Sequence, residues 1–569
     1  MTVRHFVFFT VLATIPYHLQ ANEPYSPINT YYNMKMKGSK STSRFKQGES
    51  IRGKINPIYN SNSKQLLSDI TLGNTQGFVR GIIKHLNVDN YKDGDGNQIN
   101  SAFTHQTGSL IFGYTPTKKT RFELSLEAAE TDDAALYAHA CMDLPQNDKN
   151  SIRFKFQNEF GTKAMFYYSE VDRVMDNYSL RSLISPMKMV MRGHFNMQGG
   201  RITQDWLTTN NIKWTLGIDH KSYNKDTNRF AGSPNVAIPT KLQSIMLPDI
   251  DLQQTMLFGE MLMPSLKAAL RYRHVSTQAN RAAQTAMGGI TPNDLYLKYY
   301  GTTAQYNEEN HIDGLINYKY KLKNGFVFIN LSRAVRTATA MERFIAVRGI
   351  NPIRNGIGNP NLNPEQTHQV KLGISWKSKG WQQKASIFYN DATDYILRDR
   401  AHAIDNSNIY RNIDARLYGF EWKSNLKWNH TWSNYLNLAY IHATNVTDDR
   451  PIAQTPPLMG SLGLHYKYSK NWYIASELEF ATKQTRVDNN INTGSGLDIE
   501  QTSGFNILNI FSGINISKQM NLQLGINNLF DKTYAYHVNP ANIVYFNPEA
   551  IQVVNEPGRI FWFNLTTTF

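Results

Sequence analysis

Five side chains that suit a soft metal lie close together in the chain. Met187, Met189 and Met191 alternate along the sequence, and His194 and Met197 follow them. Thioether and imidazole groups favour Cu(I) over hard cations. Because successive side chains of an extended segment point to opposite sides, the three alternating thioethers would share one side of an extended loop. We therefore predict a copper-binding segment here, although methionines also fill apolar gaps under loops.

His139, Cys141 and Met142 form a second group of soft ligands. An imidazole, a thiol and a thioether this close together could hold the same kind of metal. Cys141 is the single cysteine of the chain, so an intramolecular disulfide and a cysteine-rich metal site are excluded. The alternative is a structural role, since isolated cysteines are often simply buried.

The remaining motifs do not indicate catalysis. Residues 93–97 (DGDGN) resemble the start of a calcium-binding loop, but Gln98 occupies the glycine position and Thr104 stands where a bidentate glutamate is required. We predict a turn for this segment. The sequence offers no setting for a Ser/His/Asp triad, no phosphate-binding glycine loop and no His-Glu-x-x-His motif, so we do not expect an enzyme.

The composition indicates a barrel of membrane-spanning strands. Of the 569 residues, 12% are aromatic, with 31 tyrosines, yet only 41% are hydrophobic, and the mean hydropathy is -0.47. A helical membrane protein would contain runs of roughly 20 apolar residues, whereas in a barrel only every second residue meets lipid. We predict an all-β fold, a large antiparallel transmembrane β-barrel of about 22 strands with long extracellular loops.

The alternation of side chains supports this prediction at the C-terminus. Phe561 and Phe563 share one face of an extended segment, and Trp562 lies on the other. Similar segments recur along the chain, separated by short turns or by long polar stretches such as residues 181–204 and 225–253. We assign the long stretches to extracellular loops.

The net charge of +15 first suggests nucleic acid as a partner. The basic residues are spread along the chain rather than concentrated in blocks, and no motif that reads nucleic acid is present. We therefore expect outer-membrane lipid, and no nucleic acid, as a partner. A scattered cationic surface suits anionic lipid.

The composition divides the chain into three parts. Residues 1–21 combine a short basic start with an apolar core of about ten residues, which is typical of a secretory signal peptide. Residues 22–64 are polar and aperiodic, and we interpret them as a linker or a remnant of a plug domain. Residues 65–569 are predicted to form the barrel.

Several motifs resemble the TonB-dependent outer-membrane receptor family. Three of them are residues 358–365 (GNPNLNPE), residues 525–534 (GINNLFDKTY) and residues 556–559 (EPGR), the last before a final strand that ends in Phe569. The segments that resemble the copper-receptor branch of that family are residues 90–97 (NYKDGDGN), 174–181 (VMDNYSLR), 412–421 (NIDARLYGFE), 448–458 (DDRPIAQTPPL), 546–551 (FNPEAI) and 555–562 (NEPGRIFW). The resemblance covers about residues 85–569.

The resemblance implies a transport receptor in the outer membrane of a Gram-negative bacterium. It implies uptake of copper as a transported ligand, with no cofactor. A receptor for a ferric siderophore or another bulky ligand is the first alternative. The family also carries an N-terminal plug with a TonB-contacting segment, and neither is recognisable in this sequence. We therefore expect the TonB complex as a partner only if a plug is supplied, and a plugless diffusion pore is the second alternative.

Overall fold

Long strands account for most of the structure. The computed structural model describes residues 45–136, 142–183, 185–208, 211–349, 352–539, 541–543 and 551–569. In chain order the barrel strands are β1 (Ile51–Asn60), β2 (Ser63–Gly73), β3 (Gly77–Val88), β4 (Phe103–Tyr114), β5 (Arg121–Ala134), β6 (Asp143–Gln157), β7 (Thr162–Asp176), β8 (Lys188–Leu207), β9 (Lys213–Gly232), β10 (Lys241–Leu262), β11 (Leu266–Ala279), β12 (Asn307–Leu322), β13 (Gly325–Arg336), β14 (Glu365–Ser378), β15 (Trp381–Asp399), β16 (Asn408–Lys427), β17 (Trp432–Asn445), β18 (Met459–Lys467), β19 (Trp472–Ala481), β20 (Phe505–Asn515), β21 (Met520–Asn527) and β22 (Ile560–Thr568).

These strands form one closed antiparallel barrel. Each strand pairs with the next along the chain, and β1 closes the sheet by pairing with β22, where Ile55 lies opposite Thr567. Asn56 strengthens this closure, because its Nδ2 donates to the carbonyl of Leu565 at 2.8 Å. A closed barrel leaves no free edge, which is the condition for crossing a bilayer with strands. The predicted fold class is confirmed.

Alternate side chains of each strand face the outside of the barrel. In β3, Val79 and Ile83 are exposed, whereas Phe78 and Leu86 on the other face are buried. This two-residue period puts apolar side chains toward lipid on one face only, which explains why the chain as a whole is not strongly hydrophobic.

The connections between strands differ at the two ends of the barrel. At one end they are short, as in residues 323–324 between β12 and β13. At the other end they are long, as in residues 280–306 and 337–364. The two sizes agree with the predicted turns and loops, and we refer to these ends as the turn end and the loop end.

Two stretches that we predicted as loops are largely strand. Residues 181–204 and 225–253 contribute to β8, β9 and β10, which have 20, 20 and 22 residues. About 9–11 residues suffice to cross a bilayer as a tilted strand, so these strands rise far beyond it at the loop end. Sequence periodicity missed the extensions because outside the lipid a strand is not required to alternate apolar and polar side chains.

The barrel begins earlier than predicted. β1 covers Ile51–Asn60, inside the segment 22–64 that we interpreted as a linker, so the boundary at residue 65 is wrong. Only Ile51, Ile55 and Tyr59 mark its exposed apolar face, and Gly53 and Pro57 interrupt that pattern. Residues 1–44 lie outside the described part of the chain, so the signal peptide and the first part of the linker stay predictions.

Two helices lie in the connections 280–306 and 337–364. Helix α1 (Pro292–Tyr300) begins at a capping box formed by Thr291 and Asp294, and helix α2 (Ala340–Phe344) begins at Thr339. The hydroxyl of Tyr296 donates to the carbonyl of Phe344 at 2.5 Å, which joins the two loops. The remaining short elements are the strands Tyr91–Lys92, Gln98–Ile99, Ala346–Val347, Gly356–Ile357, Arg450–Pro451, Ala541–Ile543 and Ile551–Val553 and the 3-10 helix Pro352–Arg354. Within the described ranges, the helices are too short or too polar to span a bilayer.

Candidate metal-binding site

The alternating methionines lie at the loop end of β8. Met189 and Met191 belong to the strand itself, while Met187 lies just before it and is 36% exposed. In the same strand Ile202 and Trp206 are exposed on the lipid side. Because side chains alternate, Met189 and Met191 point to the opposite face, toward the barrel interior.

Four methionines from three parts of the chain meet at this position. Met142, Met175 and Met189 are buried in one apolar cluster, and Met191 packs against it. Met191 lies directly opposite Met175 in the pairing of β8 with β7. We call these four residues the methionine cluster. The structure therefore joins a member of each predicted soft-ligand group and adds Met175, which we did not predict as a ligand.

Asn177 fixes the start of the strand that carries the methionines. Its Oδ1 accepts from the backbone N–H of Met189 at 2.8 Å, and its Nδ2 donates to the carbonyl of Met187 at 3.1 Å. Asp176 holds the adjoining turn, because its Oδ1 accepts from the hydroxyl of Ser179 at 2.7 Å. Residues of the segment 174–181 thus hold the backbone around the methionine cluster in place.

A largely buried ion pair holds the connection that carries Met142. Arg181 donates through Nε to Oδ2 of Asp143 at 2.6 Å, and Asp143 is the neighbour of Met142 in the chain. Oδ1 of Asp143 also accepts from the backbone N–H of Leu136 at 2.8 Å. The pair therefore joins the loop after β7 to both sides of the connection that carries Met142.

Two predicted ligands lie away from the cluster. His194 is on the opposite face of β8, where its Nδ1 lies 2.8 Å from Oδ1 of Asp172. This hydrogen bond raises the pKa of His194. A ligand atom of each of Glu170, Asp172 and His194 lies within 4.8 Å of the others. Met197 faces the interior like Met191 but lies about 20 Å further along the strand.

His139 and Cys141 lie outside the described residues. Their proposed part in metal binding stays a prediction. Met142, the third member of that group, is the first described residue after them and is buried in the cluster. Met175 could have been found only from the register of β7 against β8, which the sequence alone does not fix.

Arginines without carboxylate partners lie in the mouth of the barrel. Arg398 donates to the carbonyl of Ser495 at 3.4 Å, and Arg400, only 6% exposed, donates to the carbonyl of Ile491 at 3.0 Å. Within the described ranges neither arginine makes an ion pair. Burial lowers the pKa of Arg400, and the neighbouring charge of Arg398 lowers it further.

Distant motifs meet at another corner of the mouth. Residues 93–97 form the predicted turn, in which Oδ1 of Asp93 accepts from the backbone N–H of Asn97 at 2.8 Å. Oδ2 of Asp93 accepts from Nδ2 of Asn555 at 2.8 Å, and the N–H of Gly558 donates to the carbonyl of Lys92 at 2.9 Å. These segments serve to pack loops together.

Most of the barrel matches one known protein family. The profile of the family described as "TonB dependent receptor-like, beta-barrel" matches residues 59–529. The chain belongs to this family. TonB-dependent receptors lie in the outer membrane of Gram-negative bacteria, carry no cofactor and transport ligands instead of catalysing reactions. The predicted family and location are confirmed, and the loop end is the extracellular side.

Solved structures of other receptors share the fold. The copper transporter OprC superposes with a TM-score of 0.80 at 24% identity, over 93% of this chain and 82% of that chain. A crystal structure of the ferric enterobactin receptor PfeA gives a TM-score of 0.67 at 15% identity, over 92% of this chain and 82% of that one. At these identities the likeness concerns the fold alone.

Curated relatives match a shorter part of the receptor. The ferric enterobactin receptor of Pseudomonas aeruginosa is 25% identical over 235 residues, which are 37% of this chain and 30% of that protein. The ferrienterobactin receptor of Escherichia coli K12 is 22% identical over 228 residues, again 37% of this chain and 30% of that protein. The alignments thus cover less than a third of these relatives.

Proposed function

We propose that this receptor takes up copper and that the methionine cluster captures it as Cu(I). The observation that carries the proposal is the meeting of Met142, Met175, Met189 and Met191 at the extracellular end of the wall. The copper transporter OprC, which has the same fold, supports the choice of metal.

The chemistry of the cluster suits a soft monovalent cation. Thioethers are neutral and polarisable, so they bind Cu(I) without adding charge to an apolar setting. A hard cation would lose its water in this place and gain no oxygen ligands from the four methionines. Met187, exposed just outside, is placed to make the first contact.

Metal titration of the purified receptor tests this proposal. Ag(I) serves as the probe, because it shares the charge and the ligand preference of Cu(I) and is not oxidised in air. We expect Met189→Leu together with Met191→Leu to weaken Ag(I) binding at least tenfold, because leucine keeps the volume and removes the sulfur. Met165→Leu is the control, since Met165 lies on β7 near the turn end. Equal affinities in all three proteins would refute the site.

Transport is tested in cells that require copper from outside. We expect deletion of the gene to slow growth under copper limitation and the intact gene to restore it. The TonB complex enters the proposal only if a plug is supplied, so uptake is compared with and without TonB. A large constant conductance in planar bilayers, with uptake independent of TonB, would instead indicate a passive pore.

A ferric siderophore is the second candidate cargo. The curated relatives are named as ferric enterobactin receptors, and the guanidinium groups of the half-buried Arg398 and the buried Arg400 suit an anionic chelate. Ferric enterobactin is the probe for this alternative. Binding that is lost in Arg400→Gln and unaffected by Met189→Leu would favour the siderophore over copper.

A further inference from the structure

The lipid-facing wall of β3 to β7 contains an apolar hollow of about 660 Å³. We call it the wall groove. Its floor consists of small residues and its sides of larger ones, and those that define it are Gly81, Gly108, Ala128, Leu110, Leu126 and Ile152.

The register of the strands explains the hollow. Gly81 lies opposite Leu110, and Gly108 lies opposite Ala128, all on the outer face. A Cβ atom placed on Gly81 or Gly108 would meet nothing within 4 Å. The groove is therefore open space that a side chain could have filled, on a wall that otherwise carries exposed leucine and isoleucine.

Carboxylates line the extracellular edge of the wall groove. The next outward positions toward the loop end are Glu130, Asp148, Glu170 and Asp172, which we call the acidic rim. Tyr168 lines the groove and donates through its hydroxyl to Oε2 of Glu170 at 3.3 Å. Among the residues that the structure describes, the rim forms no ion pair with a lysine or an arginine, and it pairs with one histidine, His194, whose Nδ1 lies 2.8 Å from Oδ1 of Asp172. The rim therefore keeps an excess of negative charge, although the chain carries a net charge of +15.

We propose that the wall groove holds one acyl chain of an outer-leaflet lipid whose headgroup carries a protonated amine. The groove is continuous with the lipid-facing wall, and its open floor gives a methylene chain the contact that a flat wall lacks. The acidic rim lies on the extracellular side of the groove and has the charge that complements an amine.

A second copy of the receptor fits this surface less well. A two-fold interface would place the same patch on both partners. The two acidic rims would then face each other across the contact, and like charges would oppose it. The wall groove is also separate from the proposed cargo site, because it lies on the outer face of the barrel and includes none of the residues of the methionine cluster.

Native mass spectrometry of the detergent-purified receptor tests the groove. Phosphatidylethanolamine is the probe with an amine, phosphatidylglycerol is the probe without one, and EDTA removes cations that could bridge phosphate to carboxylate. We expect one phosphatidylethanolamine to bind in preference, and Gly108→Leu to lower its retention about tenfold. Gly314→Leu is the matched control, because Gly314 also has open space around it but lies on β12.

The acidic rim is tested separately from the groove. Glu170→Gln with Asp172→Asn should abolish the preference between the two lipids while the acyl chain still binds. Equal lipid retention in Gly108→Leu and the unchanged receptor would overturn the proposal. Preference for phosphatidylglycerol, or a dimer that Gly108→Leu dissociates, would overturn it as well. Heat-modified migration on gels verifies that each variant is a folded barrel.

Discussion

Arg181 and Asp143 form an ion pair that joins two loops at the extracellular end, with Nε of the arginine 2.6 Å from Oδ2 of the aspartate. The side chain of Asp143 is only 3% exposed, so the pair is largely shielded from water. Because Asp143 follows Met142 directly, the pair controls the position of one methionine of the proposed copper site.

Loss of this pair should destabilise the receptor and weaken metal binding together. Arg181→Gln leaves Asp143 buried without its charged partner, which costs about 3–5 kcal/mol. Urea unfolding in micelles and Ag(I) titration measure the two effects. Lys163→Gln is the control, because Lys163 pairs with Asp205 while its side chain is 53% exposed, and exposed pairs contribute about 0–1 kcal/mol. Equal losses of stability and of Ag(I) affinity in the two variants would contradict the role assigned to the pair of Arg181 and Asp143.

Asn177 should matter for the cluster although it offers no soft ligand. Asn177→Leu removes the acceptor for the N–H of Met189 and the donor to the carbonyl of Met187, at a cost of about 1–3 kcal/mol. We expect weaker Ag(I) binding as well. Asn74→Ala removes a comparable side-chain acceptor in a turn, where Oδ1 accepts from Gln76 at 2.8 Å. It should leave Ag(I) affinity unchanged, and any loss there would mean that general destabilisation explains the effect.

Met175 and Met197 separate the structural site from the one predicted from sequence. Met175 belongs to the cluster, whereas Met197 was predicted and lies further down β8. We expect Met175→Leu to weaken Ag(I) binding several-fold and Met197→Leu to have no effect. The reverse order of affinities would place the site lower in the barrel than we propose.

Acid should loosen the contact between helix α1 and the β15–β16 hairpin. Burial alone would raise the pKa of Asp405, but hydrogen bonds from Lys298, Ser407 and Tyr299 lower it to about 2. Since this lies below the unfolded value of about 3.9, the contact contributes fully above about pH 4 and is lost as the pH falls toward 2.

Pepsin digestion measures this effect, because the enzyme is active across that range. We expect cleavage in the α1 loop to rise from pH 4 to pH 2.5. Asp405→Asn should be cleaved to a similar extent at both values, since it has no charge to lose. A steep pH dependence that persists in Asp405→Asn would assign the effect to another group.

Gly94 should be intolerant of any side chain. A Cβ atom there would lie 2.4 Å from the carbonyl oxygen of Asp531 and 2.4 Å from the backbone nitrogen of Thr533. Gly94→Ala must therefore separate two loops, and we expect a loss of about 1–3 kcal/mol in unfolding free energy. Gly314→Ala has open space and should cost far less. Similar unfolding midpoints for both variants would show that the two loops separate at little cost in free energy.

The sequence predicted the barrel because lipid imposes a strict period on each strand. Phe561 and Phe563 lie on the exposed face of β22, as their alternation with Trp562 predicted. The same reasoning fails where lipid is absent. The upper part of β9 is largely polar. In the upper part of β10 the buried apolar positions shift from odd to even numbers between Leu247 and Ile250, so neither segment shows the regular alternation that marks a strand.

The candidate site was predicted only in part for a related reason. The alternation of Met189 and Met191 placed both on one face, as the structure has them. The partners Met142 and Met175 depend on which strands become neighbours and in what register. His194 lies at an even-numbered position of β8, whereas Met189 and Met191 lie at odd-numbered positions. Because side chains alternate along a strand, His194 points outward.

The uneven length of the strands gives the barrel an oblique rim. β10 has 22 residues and β21 has 8, a difference of about 45 Å along the strand direction. The tip of the tall side carries Val236 and Ile238, which are 37% and 58% exposed. Antibodies and other large molecules outside the cell would therefore meet this exposed crest.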